Sequence, residues 1–552
     1  MKKPIIITLI ACLAIVGLAS PVRAQSVPEM VTRDEARTVA QNWITLIIQK
    51  KGDWGGSETA EVEEIQEFKR GERVLGYFCS VKPQGFIVIS LRKELAPVKA
   101  YSAISNLDPR SDEGLADVIK GGMERVLNAI ERQIGPMESV RSQDLENILE
   151  INYRQSWEEL GGDAAAFKQQ LGSGVIAMDY QAGTPLLSSN WDQGDPYNAL
   201  CPTGNTGCTN CCPGQPQPCN PTLPTNVGCT ATAGAQIMKY WGWPPSGSVE
   251  SHSFIWDGDD SCGGNVGGGT LSATISDPYD WRNMADDYVW DPWQNRWEDE
   301  NGDPLTQAHL DAVAELCYEV GVVVGTDYGV CASGASTSNM EGVYENYYRY
   351  STSVNVIYRD DVDSAVEWFN RIKSDLNVNR PLQYAVPGHS MVVDGWEEAG
   401  STPIRQYHMN YGWAGWVPPG DPDWAGLVNS NAWYALDALP GSNPDEEYMV
   451  EDIYPAPLLW GSLSGTYALL AFPYRYFDRD TTGDSATFES GQNLQFLPDI
   501  TVTCTSITGG SIRFEGSTYL YTRLFTRGDR SQGIRIRNGT IKLNQHGSIK
   551  FP

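Results

Sequence analysis

Cys229 stands behind Gly228 at the head of Asn226-Val-Gly-Cys-Thr-Ala-Thr-Ala-Gly-Ala-Gln-Ile-Met-Lys-Tyr240, a run rich in small residues. Asn226 is a candidate N-cap, which puts Cys229 in the first turn of a helix. Backbone N–H groups there have no intrahelical acceptor and the dipole's positive end favours an anion. A thiolate is the form of cysteine that attacks carbonyls, and such a position lowers its pKa. Ala233, Ile237, Tyr240 and Trp241 recur at helical spacing, so one face is buried and fixes the sulfur.

A nucleophilic thiol needs a base, and the chain has five histidines: His252, His309, His389, His408 and His546. His389 lies in the apolar, strand-like run Pro381-Leu-Gln-Tyr-Ala-Val-Pro-Gly-His-Ser-Met-Val-Val-Asp-Gly395, where Gly388 opens space beside it. Tyr407-His-Met-Asn-Tyr-Gly-Trp413 reads as a second strand pairing with it in a hairpin. A histidine on one strand and an asparagine on the next can serve a cysteine nucleophile as base and orienting group. His408 is the rival base, but a hydrogen-bonded core or edge position fits it better, because no glycine beside it opens space. His252 reads as a loop support, and His309 and His546 as surface positions.

Together the Gly228–Tyr240, Gly388–Gly395 and Tyr407–Trp413 blocks resemble the streptopain family of secreted cysteine peptidases. Trp191-Asp-Gln-Gly-Asp-Pro-Tyr-Asn198, Tyr279-Asp-Trp-Arg-Asn-Met284, Asp327-Tyr-Gly329 and Ser333-Gly-Ala335 match further family blocks in family order. The resemblance spans roughly residues 185–440 and more weakly the region before it. It implies an α+β, papain-like catalytic domain, with a helix-borne cysteine facing an antiparallel sheet that bears the histidine. Carried over by position, Cys229 is the nucleophile, His389 the general base and acid, Asn410 the residue that orients His389, and Gln193 the oxyanion-hole donor. Tyr411, Trp413 and Gly388 then form the active-site wall. Two positions depart from the family. Tyr411 replaces the tryptophan after the asparagine, and Pro387 precedes Gly388 where a glycine is usual, stiffening that loop.

Met1–Ser20 has a basic start and an apolar core, and Val22-Arg-Ala24 offers a cleavage site. The expectation is a signal peptide over 1–24 and a secreted or cell-surface product, with lipidation at Cys12 the less favoured alternative. No other segment is apolar and long enough to span a membrane. Lys+Arg 40 against Asp+Glu 69 disfavours nucleic acid and anionic membranes as partners. The expected partners are protein or peptide substrates and the chain's own propeptide, and neither a metal nor a cofactor is required.

Residues 25–183 read as that propeptide, an α+β unit. Thr32 starts a capped helix, Tyr77–Val81 and Gly85–Ser90 form a hairpin, and charged helices follow near 113–135 and 140–172. Its inhibitory role is implied by the resemblance, and maturation is expected between Gly174 and Pro185. The catalytic domain is expected over 184–442. Of the twelve cysteines, five crowd into Cys201–Cys219. That Pro/Gly-rich loop needs staples, and export favours disulfides over a zinc site at Cys208 and Cys211. Leaving Cys229 free makes the remaining count odd.

An acidic, tryptophan-rich insertion runs between Trp256 and Pro304, its tryptophans pinning a long loop or binding a ligand. Leu310–Val324 follows as an amphipathic helix with Cys317 on its buried side. Residues 450–552 read as an all-β accessory domain, a sandwich or a short β-solenoid. Within it Asp478-Arg-Asp-Thr-Thr-Gly483 partly matches a calcium loop but reads better as a polar turn. The functional expectation is a secreted cysteine endopeptidase made as a zymogen, acting through an acyl-enzyme. A cysteine-dependent acyl transferase or transamidase on the same fold is the alternative, and a non-catalytic surface-binding scaffold a third.

Overall fold

The computed structural model describes residues 30–174, 179–205, 222–261, 266–413, 431–435 and 447–456, with eight strands between Leu458 and Ile549. The leader with Cys12 and Ala24, the loop cysteines Cys208, Cys211, Cys212 and Cys219, and His546 lie outside the described residues.

The N-terminal unit opens with α1 (Arg33–Lys51). Its cap is the one the sequence announces. The Thr32 hydroxyl accepts from the Glu35 N–H while the Glu35 carboxylate accepts from the Thr32 N–H, satisfying two otherwise orphaned donors. The antiparallel meander β1 (Glu61–Arg70), β2 (Arg73–Lys82), β3 (Phe86–Ser90) and β4 (Val98–Ser102) follows. Strands β3 and β4 are buried along their whole length, because α1 covers one face and α2 (Gly114–Ile134) lies against the meander as well. The second expected helix, near 140–172, is instead three short ones: α3 (Ser142–Glu146), α4 (Arg154–Leu160) and α5 (Ala164–Gly172). Asp163 starts the last by accepting from the Ala165 and Ala166 N–H groups, so a competing cap divides what periodicity joins.

β5 (Tyr180–Ala182) leads past the short pair β6 (Thr203–Asn205) and β7 (Thr222–Pro224) into α6 (Cys229–Trp241). Two hairpins fill the tryptophan-rich insertion, β8 (Ser251–Asp259) with β9 (Val266–Thr274) and β10 (Val289–Asp291) with β11 (Arg296–Glu298). Trp256 is buried, and Trp290 meets Trp297 edge to face. Trp293 at the hairpin tip is 95 % exposed. The expected amphipathic helix is α7 (Gln307–Val324), with Cys317 fully buried.

α8 (Met340–Gly342), β12 (Asn355–Tyr358) and α9 (Ala365–Leu376) precede the strands that carry the second half of the site. These are β13 (Leu382–Val386), β14 (His389–Ala399), β15 (Ile404–Asn410), β16 (Asn431–Ala435) and β17 (Tyr448–Glu451). The order β4-β16-β15-β14-β13-β17-β12 makes the N-terminal meander continuous with this sheet, since Tyr101 and Ala100 pair with Trp433 and Tyr434. Side chains alternate across β14. Met391 and Val393 join a hydrophobic core shared with the N-terminal unit, while Val392 joins a second core around α6 and α7. One sheet thus divides two cores.

Beyond Leu458 the strands pair in parallel, beginning with β18 (Leu458–Tyr467) on β19 (Tyr474–Phe488). Among the described strands of this region every pairing is parallel, which agrees with a solenoid-like stack rather than an antiparallel sandwich. Asp478–Gly483 falls inside β19, so it is neither the expected polar turn nor a calcium loop followed by a helix.

Candidate active site

Cys229 is the first residue of α6. The cap is Gly228 rather than Asn226, whose side chain donates to the Val330 carbonyl at 3.1 Å instead. Gly228 has φ +90°, a conformation that glycine alone adopts without strain. A Cβ there would also stand 3.3–3.4 Å from Thr326 and Ser333. The turn therefore presents the sulfur while the rest of α6 is buried from Thr230 to Trp241.

His389 opens β14 directly after the two-residue link Pro387-Gly388, with Val386 paired to His389. Pro387 followed by Gly388 at φ +79° fits a type II turn. The His389 ring is buried, with Nε2 2.8 Å from the Tyr411 carbonyl oxygen, and stacks on Trp413 at 4.0 Å between centroids. Tyr411 lies parallel to it further out, at 6.3 Å. Tyr411 and Trp413, the residues expected to form an aromatic wall, thus both lie parallel to the imidazole.

Asn410 is at the end of β15, which pairs with β14 as expected, but its amide is turned away from the ring. Its Nδ2 donates to the Ser189 carbonyl at 2.8 Å and to Gln236 Oε1 at 3.1 Å, while Oδ1 accepts from Gln236 Nε2 at 3.1 Å. The contact on His389 comes from the next residue's carbonyl, a correction to the orienting role expected of the Asn410 side chain. Gln236 Oε1 also accepts from the Trp191 N–H at 3.1 Å and the Ser189 hydroxyl at 3.3 Å. This one buried amide ties α6, β15 and the 189–191 segment together. Gln193 follows two residues later. Its carbonyl accepts from the Val227 N–H at 3.0 Å, which sets it beside the turn that enters α6. Its neighbour Asp192 is pushed up to about 7 by burial, against the pull of the Gln193 and Gly194 N–H groups.

The two central groups are both held neutral. Burial pushes the Cys229 thiol up, opposed first by the Ser390 N–H, then by Thr230 and by the cysteine's own N–H. Burial pushes His389 down to about 4, with the Tyr411 carbonyl pulling the other way. This reverses the lowered thiol pKa expected from the helix position, because desolvation outweighs the local N–H groups. Among the described residues no hydrogen bond joins Cys229 to His389.

The other histidines have structural partners. His408 Nδ1 is 2.6 Å from Asp394 Oδ1 in the interior, and His309 Nδ1 accepts from the Thr306 N–H to cap α7. His252 meets Tyr347 edge to face. Cys79, Cys201 and Cys317 are free and buried, so Cys201 is not the staple expected of it, whereas Cys331 is disulfide-bonded. Asp277, Glu315 and Glu319 group their carboxylates, and Glu319 accepts from the Tyr279 hydroxyl at 2.5 Å.

Residues overlooked in the sequence are Gln236, Gln383 and Ser390. Gln383 on β13 is fully buried and donates from Nε2 to the Thr230 carbonyl at 2.9 Å and the Ser390 hydroxyl at 3.1 Å. A buried glutamine inside an apolar strand was the available signal, since such an amide requires partners.

Residues 191–418 match the profile of the Peptidase C10 family, and residues 28–126 that of the Spi protease inhibitor. Streptopain of Streptococcus pyogenes serotype M28 is 26 % identical over 426 residues, covering 75 % of this chain and 90 % of that protein. The thiol protease/hemagglutinin PrtT of Porphyromonas gingivalis is 24 % identical over 397 residues, 70 % of this chain and 38 % of its own length. Among solved structures, a fragment of Prevotella intermedia prointerpain A aligns with TM-score 0.48 at 22 % identity, covering 71 % of this chain and 99 % of the fragment. The streptopain resemblance drawn from the motifs is borne out.

Proposed function

We propose, from the match of residues 191–418 to the Peptidase C10 family profile, that this chain is a precursor of a cysteine peptidase whose mature part hydrolyses peptide bonds through Cys229 and His389. The observation that carries the assignment of these two residues is the buried Gln383 amide, which donates both to the carbonyl of Thr230, next to Cys229, at 2.9 Å and to the hydroxyl of Ser390, next to His389, at 3.1 Å.

In the proposed reaction the Cys229 thiolate attacks the scissile carbonyl and His389 holds the proton taken from sulfur. Collapse of the tetrahedral intermediate breaks the C–N bond, and the imidazolium gives that proton to the leaving amine. Water, deprotonated by His389, then cleaves the thioester and regenerates the thiol. The Gln193 amide and the Cys229 N–H are the proposed oxyanion donors, each worth about 3–4 kcal/mol. The Tyr411 carbonyl, rather than the Asn410 amide, is the proposed orienting group, with Gly388, Tyr411 and Trp413 forming the wall.

Residues 25–183 are the proposed inhibitory propeptide, removed by a cut between Gly174 and Pro185. Three features support a latent full-length state. The inhibitor-like unit extends the catalytic sheet through β4, no hydrogen bond joins His389 to Cys229 among the described residues, and burial pushes the thiol up and the imidazole down, so that both favour the neutral form. Export through the 1–24 leader is proposed on its basic start and apolar core. No helix among the described residues is long and apolar enough to cross a membrane.

Full-length protein incubated under reducing conditions tests this reading. Wild type is expected to convert to a form starting near residue 180, and Cys229→Ala to stay intact. Equal conversion of both would remove self-processing through Cys229.

A further inference from the structure

The segments that carry Cys229 and His389 come from opposite sides of the fold, and one side chain bridges them. Gln383 lies on β13, opposite Val392 of β14 on one side and Val450 of β17 on the other. Its side chain has no exposure to solvent. One amide nitrogen donates in two directions: to the carbonyl of Thr230, the residue after Cys229, at 2.9 Å, and to the hydroxyl of Ser390, the residue after His389, at 3.1 Å. The amide cannot rotate freely, because the hydroxyl of fully buried Tyr344 donates to its Oε1 at 2.9 Å. Thr230 is fixed in turn by its hydroxyl, which donates to the Ala335 carbonyl at 2.8 Å.

We propose that Gln383 is a positioning residue for the cysteine–histidine pair, setting the gap between the first turn of α6 and the start of β14. Resting on the peptidase reading above, it adds a group that no catalytic step uses. The bridge acts on backbone and hydroxyl groups one residue beyond each reacting side chain. It therefore survives any rotation of the His389 ring that activation requires. With the amide in place, the residue after Cys229 and the residue after His389 share one donor. Without it, Ser390 is held by its strand pairing alone and the first turn of α6 loses its tie to β14. A displacement of about 1 Å between nucleophile and base suffices to cost on the order of a hundredfold in rate.

The test compares Gln383→Met, which keeps the length of the side chain and removes the amide, with Tyr344→Phe, which keeps both donated hydrogen bonds and frees only the carbonyl oxygen. Each full-length variant is converted with a trace of mature wild-type enzyme. The products are assayed for hydrolysis of fluorescein-labelled casein and for the pH dependence of Cys229 alkylation by iodoacetamide. The expected result for Gln383→Met is a fall in kcat of about tenfold or more with KM little changed. Its alkylation profile should move toward higher pH, because a looser imidazole stabilises the thiolate less. Tyr344→Phe should show the same two changes at smaller size.

Unchanged kcat in Gln383→Met overturns the proposal. So does a lower kcat accompanied by a lower thermal midpoint and an unmoved alkylation profile, which describes a structural role alone. Cys229→Ala runs alongside. If it still hydrolyses casein, the peptidase reading fails and takes the inference with it, whereas an inactive Cys229→Ala with an unaffected Gln383→Met sinks only the inference.

Discussion

Glu397 offers the sharpest handle on latency. It is fully buried on β14, and its carboxylate is held at 2.8 Å by each of three groups: Lys51 Nζ, the Tyr101 hydroxyl and the Tyr180 hydroxyl. Lys51 and Tyr101 lie well upstream of the proposed cut, so removing the propeptide strips a buried carboxylate of both. Glu397→Gln keeps the shape, removes the charge, and turns an N–H toward at least one group that now donates. Breaking one side of a buried ion pair costs about 3–5 kcal/mol. Lys51 is 30 % exposed and can turn to water, so the loss approaches that of one charge-assisted hydrogen bond, about 2 kcal/mol. At about 1.4 kcal/mol per tenfold this is roughly a thirtyfold gain in the undocked fraction. The assay is the lag before self-processing of the full-length protein, read by gel, beside the thermal midpoint of Cys229→Ala chains with and without Glu397→Gln. A shorter lag and a lower midpoint are expected. If both stay at the wild-type values, the carboxylate does not hold the two units together, and the reasoning from its partners is wrong.

Three further outcomes are expected. Gly228→Ala forces a Cβ onto a φ of +90° and against Thr326 and Ser333, so it should lower stability by about 1–2 kcal/mol and slow Cys229 alkylation, measured by thermal unfolding and mass spectrometry. His389, depressed to about 4 from an unfolded value near 6.5, binds its proton later in the folded chain than in the unfolded one. Stability is therefore full above about 6.5 and declines as pH falls toward 4, by up to about 3 kcal/mol, a component that His389→Ala should abolish in pH-resolved unfolding. Trp293→Ala at the exposed hairpin tip should leave the thermal midpoint within the equivalent of about 0.5 kcal/mol, in contrast to any substitution of the buried Trp256.

What the sequence discloses depends on how local the physics is. Cys229 and His389 are legible because a glycine at each position shapes the backbone beside them, and because each begins a periodic run that becomes α6 or β14. The Thr32 cap spans three residues and is equally plain. Asn226 misleads because an asparagine and a positive-φ glycine compete for the same cap, and only the folded loop shows Asn226 engaged by Val330. Asn410 misleads similarly: its place on β15 was readable, but the reciprocal amide pair with Gln236 spans 174 residues. Gln383 reaches Thr230 across 153 residues, and Glu397 reaches Tyr101 across 296 and Tyr180 across 217. Such long-range polar contacts leave no periodic trace. The parallel pairing beyond Leu458 was open for the same reason, since short strands between turns look alike in either orientation.

The central claim is that one thiol carries out the hydrolysis. Mature protein is treated with limiting iodoacetamide, and labelling of each cysteine-containing peptide is followed by mass spectrometry beside residual casein hydrolysis. Activity is expected to fall in direct proportion to the fraction of Cys229 labelled, with buried Cys201 and Cys317 unmodified. Full activity with Cys229 alkylated, or lost activity with Cys229 free, would contradict it.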